Sequence, residues 1–200
     1  DIYINQNTTL AGNVFVNRNL NLVANSLTTG GNLHLKSTSA ASTARINGGT
    51  NASITGNVNF ERFLPWAGAG NNGFRFATHS LRTAPVINTV SGLPVATNTL
   101  ILFNETTNSY EGISNRAGTW PLAAGYGVWT NAANTLTYSG EPQLNSVGPI
   151  SLPRANAGWH YLGNPFPSVL DWEAVTRTQV DNAIYIWEKD NTGEGNGVWG

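Results

Sequence analysis

The chain has 200 residues, a formal net charge of −1 and no Cys. This length is enough to bury a substantial core. The near-zero charge gives no electrostatic attraction to nucleic acid or to an anionic membrane, and the missing thiols exclude disulfides, thiolate metal sites and thiol catalysis. Because 40% of the residues are hydrophobic, the chain is not expected to be disordered, although charged residues make up 10% and roughly one residue in seven is Asn.

Both ends of the sequence have the features expected of a chain cut from a longer protein. The chain begins at Asp1 without a Met, and Val198-Trp199-Gly200 has the pattern of a strand that is just starting. No apolar run approaches the roughly 18 residues of a membrane-spanning helix, and no charged and apolar leader is recognisable. We therefore expect a piece of a longer protein.

Short apolar–polar–apolar triplets recur about every dozen residues in the first 59 residues. This alternation is typical of half-buried strands, and the short, recurrent spacing predicts rungs of a β-solenoid-like region over residues 1–59, the end of a longer repeat region. Asn favours such turns, and its amide can bond between rungs. A meander of ordinary hairpins is the alternative, and residues 40–50 form no clear rung. The triplets are Ile2–Ile4, Val14–Val16, Leu20–Leu22, Leu33–Leu35 and Val58–Phe60.

Residues 60–200 are richer in aromatics and turn signals. The one helix-like stretch is Asp171–Thr176, where Asp171 suits a cap, and no strand–helix alternation indicates a nucleotide-binding sheet. We predict an antiparallel β-sandwich or barrel-like module, truncated at its C-terminal end, so that the whole chain is all-β. Its strands are predicted at Phe74–Thr78, Thr99–Phe103, Tyr126–Thr130, Thr135–Tyr138, Trp159–Leu162 and Ala183–Trp187.

The clearest motif of the chain lies near its C-terminal end. Gly158–Ser168, followed by Asp171-Trp172, resembles the GWNLVGNPYPSPIDW signature found in many large secreted proteins of the Bacteroidetes. His160, Phe166 and Val169-Leu170 depart from it with side chains of similar size or polarity. Further segments resemble the same family in the same order: Ile54–Phe63, Phe103–Thr106 with Tyr110–Gly112, Ala124–Val128 and Ala183–Trp187.

This resemblance implies an exported, adhesin-like protein of the type IX secretion kind, extracellular or at the outer cell surface. It implies recognition by the secretion machinery through a sorting domain outside these 200 residues, and it carries over no catalytic residue. The residues themselves predict a rigid structural corner: Asn164-Pro165 and Phe166-Pro167 restrict two φ angles and remove two N–H donors, and Gly163 allows a turn.

Residues with catalytic chemistry are present but not arranged in a recognisable pattern. His34 alternates with two Leu residues and is expected to face outward, and His79 has no carboxylate nearby in sequence. Ser80, His160 and Asp171 can be written as a triad, but no Gly-x-Ser-x-Gly elbow supports it. No pair of acids stands out for sugar hydrolysis. We predict that the chain is not an enzyme.

One Asn- and Gly-rich stretch has oxygen donors at alternate positions. Asp190, Thr192 and Glu194 follow the spacing of a calcium loop, but its closing acid would lie beyond residue 200. A hairpin turn is the ordinary reading of such a stretch, so the sequence favours no cofactor and leaves calcium as the alternative.

Exposed aromatic rings would indicate carbohydrate binding, since flat rings stack on sugars. Trp66 and Trp120 fall in loop-like stretches and are the candidate ligand-binding residues. Three functions follow in order of preference. They are a structural or adhesive segment of a surface protein, with surface glycans or self-association as its partners, a carbohydrate-binding module of an exported enzyme, and a hydrolase domain.

Overall fold

The structure is a computed structural model that describes residues 1–39, 41–49, 51–66, 73–189 and 197–199, with only the backbone considered for 187–189 and 197–199. The described residues form strands joined by turns, and their one helical element is a 3₁₀ turn at Ile87–Thr89. The prediction of an all-β protein is confirmed.

Residues 1–64 wind as a coil, which we call the parallel coil. Its strands form three parallel sheets, and each sheet takes one strand from each of three successive turns. Strands that follow one another along the sequence therefore lie in different sheets, whereas consecutive strands of a meander pair with each other in one sheet. The first turn of the coil contains β1 (Ile2–Ile4), β2 (Thr8–Thr9) and β3 (Val14–Val16). The second turn of the coil contains β4 (Asn19–Leu22), β5 (Ser26–Thr28) and β6 (Leu33–Leu35). The third turn of the coil contains β9 (Arg45–Gly48), β10 (Ser53–Thr55) and β11 (Val58–Leu64). A hairpin of β7 (Ser37–Ser39) and β8 (Ser42–Thr43) separates the last two turns.

Apolar side chains stack from turn to turn inside the parallel coil. In one sheet Ile2, Leu20 and Ile46 are register partners, and in another Leu33 lies between Val14 and Val58. Alternate residues of a strand point to the same side, so each triplet contributes its two apolar ends to the core. The described core therefore contains at least one buried apolar residue from each of β4, β5 and β6 in the second turn and of β9, β10 and β11 in the third.

Asn side chains join the turns on the outer surface. The Asn47 Nδ2 group donates to Asn21 Oδ1 over 3.0 Å between register partners, and Asn59 Nδ2 donates to the Gly31 carbonyl over 2.8 Å. Asn7 Oδ1 accepts from the Ser26 N–H over 3.0 Å. These bonds give hydrogen-bond partners to polar groups that the backbone hydrogen bonds between neighbouring strands leave unpaired. This role is one use of the many Asn residues of the chain.

Strand β11 belongs to both parts of the molecule. It pairs in parallel with β6 on one side and antiparallel with β16 (Asn134–Gly140) on the other, so the expected boundary between residues 59 and 60 lies inside one strand.

The remaining strands are β12 (Gly73–Ala77), β13 (Leu100–Asn104), β14 (Ser109–Gly112), β15 (Tyr126–Thr130), β17 (Trp187–Lys189) and β18 (Gly197–Trp199). A second, antiparallel sheet has the order β12-β15-β13-β14, and no described sheet closes into a barrel.

Two local predictions are wrong. Trp159–Leu162 is not a strand, since Leu162 alone forms a bridge, to Ala124; Gly158 with φ +83° precedes the segment and Gly163 and Pro165 follow it, so no ladder extends. Residues 183–186 are exposed and irregular, and the strand begins at Trp187.

The helix-like stretch Asp171–Thr176 is a short turn that Asp171 caps. The Asp171 Oδ1 atom accepts the Glu173 N–H over 3.0 Å, and the Asp171 carbonyl accepts the Ala174 N–H over 3.2 Å.

We expect Val58→Ala to lower the free energy of unfolding by about 2 kcal/mol, because it removes two methyl groups from a fully buried site between β6 and β16. Val95→Ala, at a residue that is 97% exposed, is the matched control and should change it by less than about 0.5 kcal/mol. Urea unfolding measures both. Equal effects of the two substitutions would contradict the described core.

Candidate functional site

The outer face of the antiparallel sheet carries a row of aromatic rings. Phe74 and Trp129 are register partners, as are Phe103 and Tyr110, and Phe76 lies two residues along β12 from Phe74. Val128 and Leu100, which alternate with the aromatic residues of β15 and β13, are fully buried against the core. We call the row, completed by one ring from the loop after β16, the aromatic strip: Phe74, Phe76, Phe103, Tyr110, Trp129 and Tyr161.

The rings of the aromatic strip contact one another but leave much of their surface exposed. Phe74 meets Trp129 edge-on with centroids 5.2 Å apart, and Phe76 meets Tyr161 in the same way at 4.7 Å. Tyr110 is 53% exposed, and Phe76 and Trp129 are each 37% exposed. Cross-strand aromatic pairs stabilise a sheet by about 0.2–1 kcal/mol each, yet that role does not require exposed rings. Large exposed apolar surfaces more often mark interaction sites.

The polar groups of the aromatic strip are the phenol hydroxyls of Tyr110 and Tyr161 and the indole N–H of Trp129. The Tyr110 and Tyr161 hydroxyls form a hydrogen bond with each other. Burial and this bond raise the pKa of Tyr161 well above its ordinary value of 10.0, so the hydroxyl stays neutral at physiological pH. The strip therefore offers flat apolar surface with uncharged hydroxyls, which suits a neutral ligand that has both apolar faces and hydroxyl groups.

The two sequence-predicted binding residues are not part of this strip. Trp120 is 1% exposed, so the expectation that it is exposed is wrong: its ring stacks on Tyr126 with centroids 4.6 Å apart, and its Nε1 donates to the Ala124 carbonyl over 3.0 Å. Pro and Gly neighbours made the segment look like a surface loop. Trp66 is half-buried directly after β11, and its role in ligand binding stays a prediction.

His79 is a structural histidine of the core. Nε2 donates to the Trp120 carbonyl over 2.9 Å, and Nδ1 accepts the Leu81 N–H over 3.2 Å, so both ring nitrogens are used in the neutral form. Burial lowers the pKa of His79 below its ordinary 6.5. The neutral ring supports the Trp120 segment and is not available as a base.

The Asn-Pro-Phe-Pro motif forms the predicted corner, and it touches both parts of the molecule. Asn164 Oδ1 accepts the Phe166 N–H over 2.9 Å, and Asn164 Nδ2 donates to the Ser168 carbonyl over 2.7 Å, which closes the corner on itself. The Pro167 carbonyl accepts the Ile46 N–H of β9 over 3.0 Å. Gly163 is required because a Cβ there would lie 2.3 Å from Cβ of Thr78.

Glu105 fixes the loop that leads into this motif. Its carboxylate accepts the backbone N–H groups of Ala155, Asn156 and Gly158 over 2.7, 2.6 and 2.8 Å. The bond from Ala155, with those from Gly158 and Asn156, holds the pKa of Glu105 below its ordinary 4.5. Sequence reasoning missed this residue, because a carboxylate 50 positions from its donors leaves no local signal.

The residues weighed for catalysis do not come together. No hydrogen bond links Ser80, His160 and Asp171 in the described chain: Ser80 is buried, and Asp171 bonds to its own turn. His34 is half-exposed and stacks on Phe15 of the preceding turn with centroids 4.7 Å apart.

Asp190, Thr192 and Glu194 lie outside the described residues, so the calcium alternative stays a prediction. Within the part that the structure describes, no three His, Asp or Glu side chains are grouped as metal ligands would be. The same part contains no helix with the length and hydropathy to span a bilayer.

Comparison of the chain with protein-family models, with curated proteins and with solved structures gives no match.

We expect Glu105→Gln to lower the melting temperature at neutral pH, because an amide oxygen replaces a carboxylate that accepts three N–H groups. The pKa is lower in the folded than in the unfolded chain, so the stabilisation is complete above about pH 4.5 and is lost as the pH falls through the lowered folded value. Thermal unfolding between about pH 7 and pH 3 should show the gap to wild type closing in that acidic range.

Glu173→Gln, at an exposed carboxylate on the Asp171 turn, is the control and should follow wild type throughout. A pH-independent gap for Glu105→Gln would show that the charge of this carboxylate is not what holds the loop.

Proposed function

We propose that this chain is a non-catalytic structural and adhesive segment of a large secreted cell-surface protein, exported by a type IX-like system. The observation that carries the adhesive part is the aromatic strip, whose rings lie on the outer face of the antiparallel sheet with Tyr110, Phe76 and Trp129 exposed. The parallel coil supports the structural part, since it is a rigid, Asn-bonded base for that face.

The export part of the proposal rests on the motif resemblance. The segment Gly158–Ser168 and its companion segments resemble those of secreted Bacteroidetes proteins that carry a sorting domain further along. An extracellular or outer-surface location, and the secretion machinery as a partner through that domain, follow from the same resemblance.

The absence of catalysis in this proposal is supported by what the reactive side chains do. His79 uses both nitrogens inside the core, Asp171 bonds to its own turn, and Glu105 holds backbone N–H groups. Each is engaged in structure, and His79 and Glu105 would have to leave their present partners to serve as a base or an acid.

A carbohydrate-binding module of an exported enzyme is the second candidate. The Tyr110–Tyr161 hydroxyl pair favours it, because this pair adds uncharged hydrogen-bonding groups to the stacking surface. Sugars present hydroxyls and apolar C–H faces together, so this combination suits them better than it suits a purely apolar partner.

We expect the double variant Tyr110→Ala, Trp129→Ala to weaken binding to surface glycans or glycan-coated cells by about tenfold or more, because exposed aromatic anchors contribute most to such contacts. A glycan array and a cell-binding assay on the labelled chain provide the measurement. Binding to isolated glycans would favour the carbohydrate module, and cell binding that survives glycan removal would favour adhesion to protein.

Tyr3→Ala is the control, since Tyr3 is 64% exposed on the parallel coil, away from the antiparallel sheet. It should bind as wild type does. If the double variant keeps its fold by circular dichroism and still binds as tightly as wild type, the aromatic strip is not the adhesive surface.

A further inference from the structure

A small cleft lies where the parallel coil, the end of β12 and the Asn-Pro-Phe-Pro corner meet. Its volume is about 170 Å³. No residue of the aromatic strip lines it, so it is separate from the proposed adhesive surface. The residues that matter for its chemistry are Arg45, Arg62, Thr78, Ser80, Phe166 and Ser168.

The cleft carries positive charge that no ion pair in the described part of the chain neutralises. Arg45 and Arg62 both line it, and no Asp or Glu does. The three ion pairs in the described chain involve other basic residues. Glu61, the acid next to Arg62, is bound instead by Lys36 and by the Ser37 N–H over 3.3 Å. Two guanidinium groups therefore remain to attract an anion.

Arg62 is held in position without being neutralised. Its Nη1 donates to the Glu61 carbonyl over 3.0 Å, and its guanidinium carbon lies 5.8 Å from the centroid of the Phe60 ring. Neither contact uses the other N–H groups of the Arg62 guanidinium. A guanidinium fixed in this way loses little freedom when a carboxylate binds to it.

The rest of the cleft wall is suited to a sugar. The half-buried ring of Phe166 forms one side, and Ser168 adds a hydroxyl. Thr78 and Ser80 also line the cleft. The Thr78 Oγ1 atom is fully buried and packs against Gly163, so a ligand in the cleft does not reach it.

Size limits the ligand to an end group. Sites for drug-sized molecules have volumes of roughly 300–1,000 Å³, well above the 170 Å³ found for this cleft. A single acidic sugar residue has a carboxylate for the two Arg residues, hydroxyls for Ser168, and a C–H face for Phe166. An Asp or Glu side chain of a protein would use the Arg residues alone.

We infer that this cleft binds the carboxylate-bearing sugar residue of an acidic glycan, with Arg45 and Arg62 as the carboxylate ligands and Phe166 as the stacking surface. This inference does not depend on the aromatic strip. It gives the chain a second glycan contact, of different charge preference, at the junction of the coil and the antiparallel sheet.

Isothermal titration calorimetry of the whole chain at low ionic strength, with glucuronate, glucose and acetate as probes, tests the inference. We expect saturable glucuronate binding that is at least about tenfold tighter than that of glucose or acetate. Arg45→Gln and Arg62→Gln should each weaken it about tenfold, because each removes a charge-assisted contact. Arg154→Gln, at an exposed Arg that does not line the cleft and bonds to the Asn156 carbonyl over 3.5 Å, is the control and should have no effect.

Each other outcome overturns the inference. Acetate bound as tightly as glucuronate would show a plain carboxylate site, open to an acidic polypeptide. Absence of saturable glucuronate binding, or binding that both Arg variants retain, would show that the cleft is not a glycan site. If Arg62→Gln does not fold, Arg45→Gln decides the matter, because Arg45 is exposed on β9 and its loss leaves the core unchanged.

Discussion

The architecture depends on one strand, β11, which hydrogen-bonds in parallel on one side and antiparallel on the other. Phe60 is the clearest example: it pairs with Leu35 of the coil and with Tyr138 of β16, whose ring stacks on it with centroids 5.3 Å apart. A change of pairing direction within one strand joins two architectures without a linker. The coil and the antiparallel part thereby share a hydrophobic core, and the loops that follow are placed relative to the coil.

The Asn-Pro-Phe-Pro corner adds a second connection between the two parts. The Pro167 carbonyl bonds to the coil, while Gly163 donates its N–H to the Ala123 carbonyl over 2.8 Å and packs against Thr78. Proline suits this position because the corner needs carbonyl acceptors and a restricted φ more than it needs N–H donors. The arginine-lined cleft exists because these two connections hold three separate segments around one small volume.

The predictable features are those that a short stretch of sequence encodes. Apolar alternation indicates the triplets, and it indicates β15 with its exact bounds, Tyr126–Thr130. Strand β9 was not recognised, because Arg45-Ile46-Asn47-Gly48 has a single apolar residue and its place depends on the neighbouring turn. The aromatic strip was missed although Phe74, Phe76 and Trp129 alternate with inward residues. The alternation was visible, but which side of the sheet faces the core depends on the fold.

The pairing at the third turn of the coil has a consequence for aggregation. Parallel coils grow by adding strands to all three sheet edges at once, and exposed edges recruit other chains. Here β16 occupies the edge of β11 in the opposite direction, and the Pro167 carbonyl takes the Ile46 N–H of β9. A further parallel turn from a second molecule finds two of the three edges blocked. The chain thus carries its own stop against end-on fibre growth at this end of the coil, made from a strand and a proline corner in place of a dedicated helical cap.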